Sequence, residues 1–178
     1  MVKNKAIFLD RDGTINKDYG YVYKKEDLLL LPKVKDGLKL LQDNGYILII
    51  VTNQSGIGRG YYSIEDYHNF TKHLINRLKK YQISITDIFM CPHIDKDNCE
   101  CRKPKTKLFW DAINKYNIDL DNSYAIGDKE RDLSICEETN IKGILLSKAT
   151  SSRYISKPNM YEAANYIIND GDDLKWKF

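Results

Sequence analysis

Two aspartates follow a short apolar segment near the start of the chain. The run Ala6-Ile7-Phe8-Leu9 predicts a buried strand at 5–9, and Asp10 and Asp12 stand directly after it. Side chains at positions i and i+2 of an extended chain point to the same side, so the two carboxylates can share one small volume. Holding like charges together out of water is costly unless a cation joins them. Because hard divalent ions prefer oxygen ligands, the pair predicts a phosphoryl-transfer site that holds a divalent cation.

Two more polar residues stand at or next to the ends of later apolar segments. Thr52 follows the run 46–51, and Asp128 follows the run 124–126 through Gly127. In an open parallel sheet, ligands collect outside the carboxyl ends of the strands. Taken alone, Asp128 could equally cap a helix after the tight turn at Gly127. With the aspartate pair, it is predicted to be a metal ligand.

Strands and helices alternate along the chain. The apolar runs predict strands at 5–9, 46–51, 88–90, 124–126 and 143–146. Helical segments are predicted at 33–44, 63–81, 105–116, 133–139 and 161–168. This alternation is typical of an α/β protein, a three-layer sandwich in which helices cover both faces of a parallel sheet. The connections leave no room for a real cap domain over the site.

Composition limits the class of protein. A chain of 178 residues with 42% hydrophobic and 30% charged residues indicates a single globular domain, 1–178, with its core at about 5–146 and a loosely held tail at 170–178. A net charge of +3 is too small to indicate a nucleic-acid or membrane partner. Because the sequence contains neither a spanning segment nor a signal-peptide core, we expect a cytoplasmic monomer that acts on a small molecule.

A second group of chemically active residues occupies one polar loop. Three of the four cysteines and one histidine fall close together there: Cys91, His93, Cys99 and Cys101. This Cys3His set is typical of a closed tetrahedral zinc site, which is structural because no position remains for water. A disulfide in an oxidising compartment is the alternative, and the missing secretory signal disfavours it. The zinc would fix the segment that carries Arg102 and Lys103.

The motifs together resemble those of the haloacid dehalogenase-like (HAD) phosphatases. The resemblance rests on Asp10-Arg11-Asp12-Gly13-Thr14, Thr52-Asn53, Lys103 and Gly127-Asp128, in order and spacing. It covers the chain from about residue 5 to residue 146 and implies a Rossmann-like fold. It also implies hydrolysis of a phosphomonoester through an aspartyl-phosphate intermediate.

The resemblance assigns a role to each motif residue. Asp10 would be the nucleophile, and Asp12 would protonate the leaving oxygen and later activate water. Thr52 would bind the transferring phosphoryl group, and Lys103 would neutralise it and position Asp10. The magnesium ligands would be Asp10, Asp12 and Asp128. Such roles make chemical sense because a carboxylate attacks a dianionic phosphate only when cations remove their mutual repulsion.

The cysteine-rich loop is similar to that of a zinc-containing subgroup acting on heptose 1,7-bisphosphate or histidinol phosphate. Three segments favour the heptose type: the run 51–60 with Arg59, 18–22 and 127–129. An enzyme of that type would remove the 7-phosphate in the biosynthesis of surface-glycan precursors. The short spacing from His93 to Cys99 and the run 103–108 favour the histidinol type. The residues predicted to bind substrate are Asp18, Tyr21, Asn53, Gln54, Ser55, Arg59, Arg102 and Lys129.

Two other classes of protein are less well supported. The run 53–60 is also similar to the phosphatase domain of polynucleotide kinase/phosphatases, which predicts a basic groove or stacking platform for a nucleic-acid strand. The weak net charge and the lack of a Gly-x4-Gly-Lys-Ser/Thr loop disfavour that activity. A non-catalytic zinc-stabilised binding module is disfavoured because every catalytic position holds a competent residue.

Overall fold

A computed structural model describes residues 2–169, and these contain one six-stranded parallel sheet. The strand order is β3-β2-β1-β4-β5-β6, so the direction of winding reverses between β1 and β4. The bounds are β1 (Ala6–Leu9), β2 (Ile47–Asn53), β3 (Asp87–Cys91), β4 (Tyr124–Gly127), β5 (Lys142–Leu146) and β6 (Ile155–Lys157). The five predicted strands are confirmed. The sixth is only three residues long and lies at the sheet edge, which leaves little pattern for the sequence to reveal.

Helices fill the connections between the strands. Their bounds are α1 (Val34–Asp43), α2 (Ser55–Gly58), α3 (Ile64–Lys79), α4 (Lys107–Tyr116) and α5 (Met160–Asn169). The helix expected at 133–139 is a 3₁₀-helix that begins earlier, at Glu130, and ends at Glu137. The start of α3 has a local cause: Ser63 and Asp66 form a reciprocal capping box that satisfies free backbone N–H groups.

Apolar side chains are buried on both faces of the sheet. In β1, Ile7 and Leu9 point into a cluster that includes Leu38 of α1, while Phe8 points the other way. Phe8 meets Phe109 of α4 at a ring-centroid distance of 5.5 Å. The alternation of side chains along a strand therefore feeds two separate cores, which confirms the three-layer sandwich.

The connections that approach the carboxyl end of the sheet are short. Residues 10–33 form a loop with one 3₁₀-turn at Lys25–Asp27, and residues 54–86 hold only α2 and α3. The described chain therefore carries no cap domain, as predicted. Within residues 2–169, no helix is both long enough and apolar enough to cross a membrane. The predicted tail, 170–178, lies outside the described residues.

Candidate active site

The carboxyl ends of three adjacent strands place the motif residues together. Asp10 directly follows β1, Thr52 lies near the end of β2, and Asp128 follows β4. Parallel pairing of Leu9 with Ile50 and Ile126 brings these ends level with one another. The site lies where the winding of the sheet reverses, the position at which open α/β sheets generally bind ligands.

A buried lysine joins two carboxylates at the centre of this site. Lys103 is 2% exposed, and its Nζ lies 2.9 Å from Oδ1 of Asp10 and 2.8 Å from Oδ1 of Asp132. The same ammonium donates to the carbonyl oxygen of Val51 at 2.6 Å. Three acceptors around one cation offset the cost of burying it and fix the orientation of Asp10.

The loop that carries Lys103 is itself held by β2. Asn53 donates from Nδ2 to the carbonyl oxygen of Lys103 at 3.0 Å, and its Oδ1 accepts from the Lys103 N–H at 3.0 Å. This reciprocal pair explains how a residue distant in sequence reaches Asp10 reproducibly. Thr52, one residue earlier, is fully buried, and its hydroxyl accepts a hydrogen bond from Nε2 of Gln54 at 2.9 Å.

Three carboxylates converge into a group that can hold a metal ion. One oxygen from each of Asp10, Asp128 and Asp132 lies within 4.8 Å of the other two. Burial raises the pKa of Asp10 to about 7, although the Lys103 ammonium opposes the effect, and burial also raises the pKa of Asp128. The Oδ1 atom of Asp128 is buried without a hydrogen-bond partner. An orphaned carboxylate oxygen among crowded negative charges fits a divalent cation, which takes oxygen ligands.

Gly13 allows the chain to pass close to this acidic group. Its φ is +85°, and a Cβ at this position would lie 2.5 Å from Oδ2 of Asp128. Both the left-handed backbone and the lack of space exclude other residues without local rearrangement. The tight turn after the aspartate pair thus keeps Asp128 beside Asp10.

The side chain of Asp12 lines the same cavity as Asp10 and is held by neighbouring donors. Its Oδ1 accepts from Nδ2 of Asn16 at 2.8 Å, and its two oxygens accept a forked pair from Arg11 at 2.8 and 3.0 Å. The acidic group that can hold a metal consists of Asp10, Asp128 and Asp132.

The predicted substrate-binding residues line one open cavity of about 240 Å³ above Asp10 and Lys103. The rim carries four cations: Arg59 directly after α2, Arg102 in the cysteine-rich loop, and Lys129 and Arg131 at the start of the 3₁₀-helix. Further polar groups come from the loop after β1 and from the end of β2. The predicted members are Asp18, Tyr21, Asn53, Gln54, Ser55, Arg59, Arg102 and Lys129, and Tyr62, Arg131 and Asp132 join them.

Acidic side chains hold three of the four rim cations in place. Asp95 of the cysteine-rich loop accepts from Nε of Arg102 at 2.8 Å and lies 3.8 Å from Nη2 of Arg59. Lys129 lies 3.6 Å from Oδ2 of Asp18 across the cavity mouth. These exposed pairs contribute little stability, but they orient positive groups toward the opening.

The cysteine-rich loop forms a compact group of four potential metal ligands. Cys101 Sγ lies 3.1 Å from Cys91 Sγ, 3.5 Å from Cys99 Sγ and 3.2 Å from Nδ1 of His93. All three cysteines are free thiols. Such separations approach the edges of a tetrahedron with metal–ligand bonds of about 2.0–2.3 Å, so the group can bind zinc. Hydrogen bonds from the neighbouring thiols overcome partial burial and lower the pKa of Cys99 to about 7.

The sequence analysis predicts no role for four residues of the site: Arg11, Tyr62, Arg131 and Asp132. Asp132 lies in a helical stretch four residues after Asp128, and the spacing of one turn is the signal that could have revealed it. Arg11 is buried, and arginine is a residue type normally found in water. The hydroxyl of Tyr62 donates to Oε1 of Gln54 at 2.6 Å.

Comparison with known proteins agrees with this geometry. Residues 5–156 match the family described as polynucleotide kinase 3 phosphatase. The D-glycero-beta-D-manno-heptose-1,7-bisphosphate 7-phosphatase of Haemophilus influenzae is 43% identical over 180 residues, which cover 96% of this chain and 95% of that protein. The enzyme of the same name from Helicobacter pylori J99 is 40% identical over 169 residues, 92% of this chain and 97% of that protein.

A solved structure extends the comparison to three dimensions. The D,D-heptose 1,7-bisphosphate phosphatase of B. bronchiseptica, crystallised with magnesium and phosphate, matches with a TM-score of 0.84 and 26% identity. The match covers 93% of this chain and 99% of that one. Fold and site therefore define a phosphatase of the HAD superfamily. The chain belongs to the polynucleotide kinase 3 phosphatase family, within which its relatives include the heptose-bisphosphate phosphatases.

Proposed function

We propose that this phosphatase removes the 7-phosphate of D-glycero-D-manno-heptose 1,7-bisphosphate in the biosynthesis of surface-glycan precursors. The observation that carries the proposal is the pairing of a reacting centre, Asp10 with Lys103, with a rim of four further cations in one cavity. A substrate with one phosphate requires only the reacting centre formed by Asp10 and Lys103. A second phosphate requires additional donors, and arginine supplies them in pairs.

The residues divide the chemistry between two steps. Asp10 attacks phosphorus as the bond to the leaving oxygen breaks, and Asp12 gives that oxygen a proton. Water then attacks the aspartyl phosphate, Asp12 takes its proton, and the Asp10–phosphorus bond breaks. Lys103 holds Oδ1 of Asp10 throughout and balances charge on the phosphoryl group. All these groups come from one chain, so we propose that a monomer is sufficient.

Magnesium is the cofactor proposed for the acidic group. Asp10, Asp128 and Asp132 would hold it, and the metal-ligand role of Asp12 stays a prediction from the sequence. When bound, the ion would neutralise negative charge on the phosphoryl oxygens. The unpartnered Oδ1 of Asp128 is the feature of this chain that supports the assignment.

Zinc is the metal proposed for the Cys3His group, with a structural role. Removing it with a chelator, or replacing Cys99 by serine, is expected to lower the melting temperature by at least about 10 °C, since structural zinc contributes several kcal/mol and each kcal/mol shifts a domain of this size by about 2–4 °C. Activity should fall as well, because Lys103 follows the last ligand by two residues.

Cys136 provides the matched control for this experiment. It is a free thiol outside the ligand group, so Cys136→Ala should keep the zinc content of the wild type. Metal analysis and thermal unfolding of the wild type, Cys99→Ser and Cys136→Ala test whether the group binds structural zinc. A wild-type protein that contains no zinc and melts unchanged with chelator would refute the assignment. Free thiols at all four cysteines agree with the proposed cytoplasmic location.

Histidinol phosphate is the second candidate substrate, favoured by the short spacing between His93 and Cys99. Its amine is positively charged, and four cations on the cavity rim disfavour such a ligand. Nucleic-acid ends are a more distant candidate, supported by the family description. The edge-on pair of Tyr21 and Tyr61, with ring centroids 4.7 Å apart, offers little flat surface for stacked bases.

Kinetic comparison of the substrates tests the proposal directly. With Mg²⁺ supplied, kcat/KM for heptose 1,7-bisphosphate is expected to exceed that for histidinol phosphate by about a hundredfold, or about 3 kcal/mol. A single-stranded DNA carrying a 3′-phosphate serves as the third substrate. A preference for histidinol phosphate or for the DNA would replace the proposed substrate while leaving the phosphatase chemistry unchanged.

A further inference from the structure

Arg11 lies between the two motif aspartates. Within residues 2–169 it is the largest fully buried side chain by volume. A guanidinium is costly to remove from water, so its contacts indicate what it contributes. Its Nε donates to Oδ1 of Asp12 at 3.0 Å, and its Nη2 donates to Oδ2 at 2.8 Å. This forked pair sets both the position and the plane of the carboxylate, and Asn16 adds a further donor.

The guanidinium is itself held from several directions. Its Nη2 also donates to the carbonyl oxygen of Val22 at 2.9 Å and to Oε1 of Gln54 at 3.0 Å. Its Cζ lies 4.7 Å from the ring centroid of Phe70 and 5.6 Å from that of Tyr67. The Nη1 atom has no hydrogen-bond partner, and the aromatic rings supply the electrostatic partner instead. Arg11 therefore cannot turn away from Asp12 without losing all these contacts.

Gln54 is locked in a single orientation by the same network. Its Nε2 donates to Oδ2 of Asp12 and to Oγ1 of Thr52, both at 2.9 Å. Its Oε1 accepts from Arg11 and, at 2.6 Å, from the hydroxyl of Tyr62. Burial raises the pKa of Tyr62 to about 12, so the hydroxyl keeps its proton at neutral pH. With two donors directed at Oε1, a flipped amide would face Arg11 with its own N–H groups.

We propose that Arg11 is a positioning residue for proton transfer, which fixes Asp12 in the orientation that serves the leaving oxygen and then the attacking water. The inference rests on the proposed aspartyl-phosphate route. In the first step the phosphorus–oxygen bond of the ester breaks, the Asp10–phosphorus bond forms, and the proton passes from Asp12 to the leaving oxygen. Lysine cannot reproduce the arrangement, because an ammonium is a point charge without a planar fork.

The Arg11→Lys variant tests this inference through its dependence on the leaving group. Nitrophenolate leaves without a proton, whereas the alkoxide of the heptose ester must receive one. Since kcat/KM reports only the steps through phosphorylation of Asp10, the variant should lose roughly thirtyfold or more in kcat/KM for heptose bisphosphate and no more than about threefold for p-nitrophenyl phosphate. A purely structural role would lower both values equally.

Two further variants complete the design. Tyr62→Phe removes only the hydroxyl that holds Gln54, so it should show the same selectivity at smaller size, and it carries the test if Arg11→Lys does not fold. Arg77→Lys, on the exposed side of α3, should leave kcat/KM unchanged for both substrates. Equal losses on both esters, or no loss on either, would overturn the role of Arg11. Failure of the wild-type protein to hydrolyse the heptose ester would instead overturn the proposed substrate.

Discussion

Asp10→Asn is expected to lower kcat at least about a thousandfold for every phosphate ester that the enzyme hydrolyses, because the amide cannot form the covalent intermediate. The variant should remain folded. Burial already disfavours the charged form of Asp10, whose pKa is raised to about 7, so a neutral side chain of the same shape is tolerated there. Steady-state kinetics with Mg²⁺ and a thermal unfolding curve measure both parts of the prediction.

The stability measurement distinguishes a lost nucleophile from a lost fold. Lys103 keeps its contacts with Asp132 and Val51 in the variant, so the melting temperature should stay within about 5 °C of the wild-type value. An Asp10→Asn protein that retains wild-type turnover would rule out the covalent route.

Lys103→Met is expected to destabilise the metal-free protein by about 3–5 kcal/mol and to abolish detectable turnover. The variant leaves the carboxylates of Asp10 and Asp132 close together without the cation that now lies 2.9 and 2.8 Å from them. Removing one partner from a buried charged group costs this amount because the remaining charge is unpaired. Urea unfolding with and without Mg²⁺ measures the loss, and Mg²⁺ should restore part of it.

Lys107→Met is the matched control, since it removes a lysine of the same loop-helix segment that lies at the surface. Its ion pair with Asp111 joins exposed side chains four residues apart on α4, so the expected loss is no more than about 0.5 kcal/mol. A loss as small as that in Lys103→Met would show that the acidic group is stable without the lysine, and would contradict its central position.

The sequence predicts those parts of the molecule that local pattern determines. The apolar run before Asp10 and the alternation of strands and helices define the sheet, because a strand buried on both faces must be apolar throughout. The strand ends then place Asp10, Thr52 and Asp128 together. The capping box of α3 is likewise visible as Ser63 followed by Asp66.

The direction of a side chain beyond the end of a strand cannot be predicted from local sequence pattern. The turn at Gly13 and the forked hydrogen bonds from Arg11 set the orientation of Asp12, and no local pattern predicts them. Asp132 joins Asp10 and Asp128 in the acidic group because a 3₁₀-helix brings it back by one turn toward Lys103. Both outcomes depend on tertiary contacts between segments far apart in sequence.

The central claim is that Asp10 carries the phosphoryl group during turnover. Acid quenching of the enzyme during hydrolysis of heptose 1,7-bisphosphate, followed by mass spectrometry of its peptides, tests this directly. The predicted result is a phosphoryl group on Asp10 that appears in the wild-type protein and is missing from Asp10→Asn. Turnover with no phosphorylated Asp10, or with the group on another residue, would contradict the account.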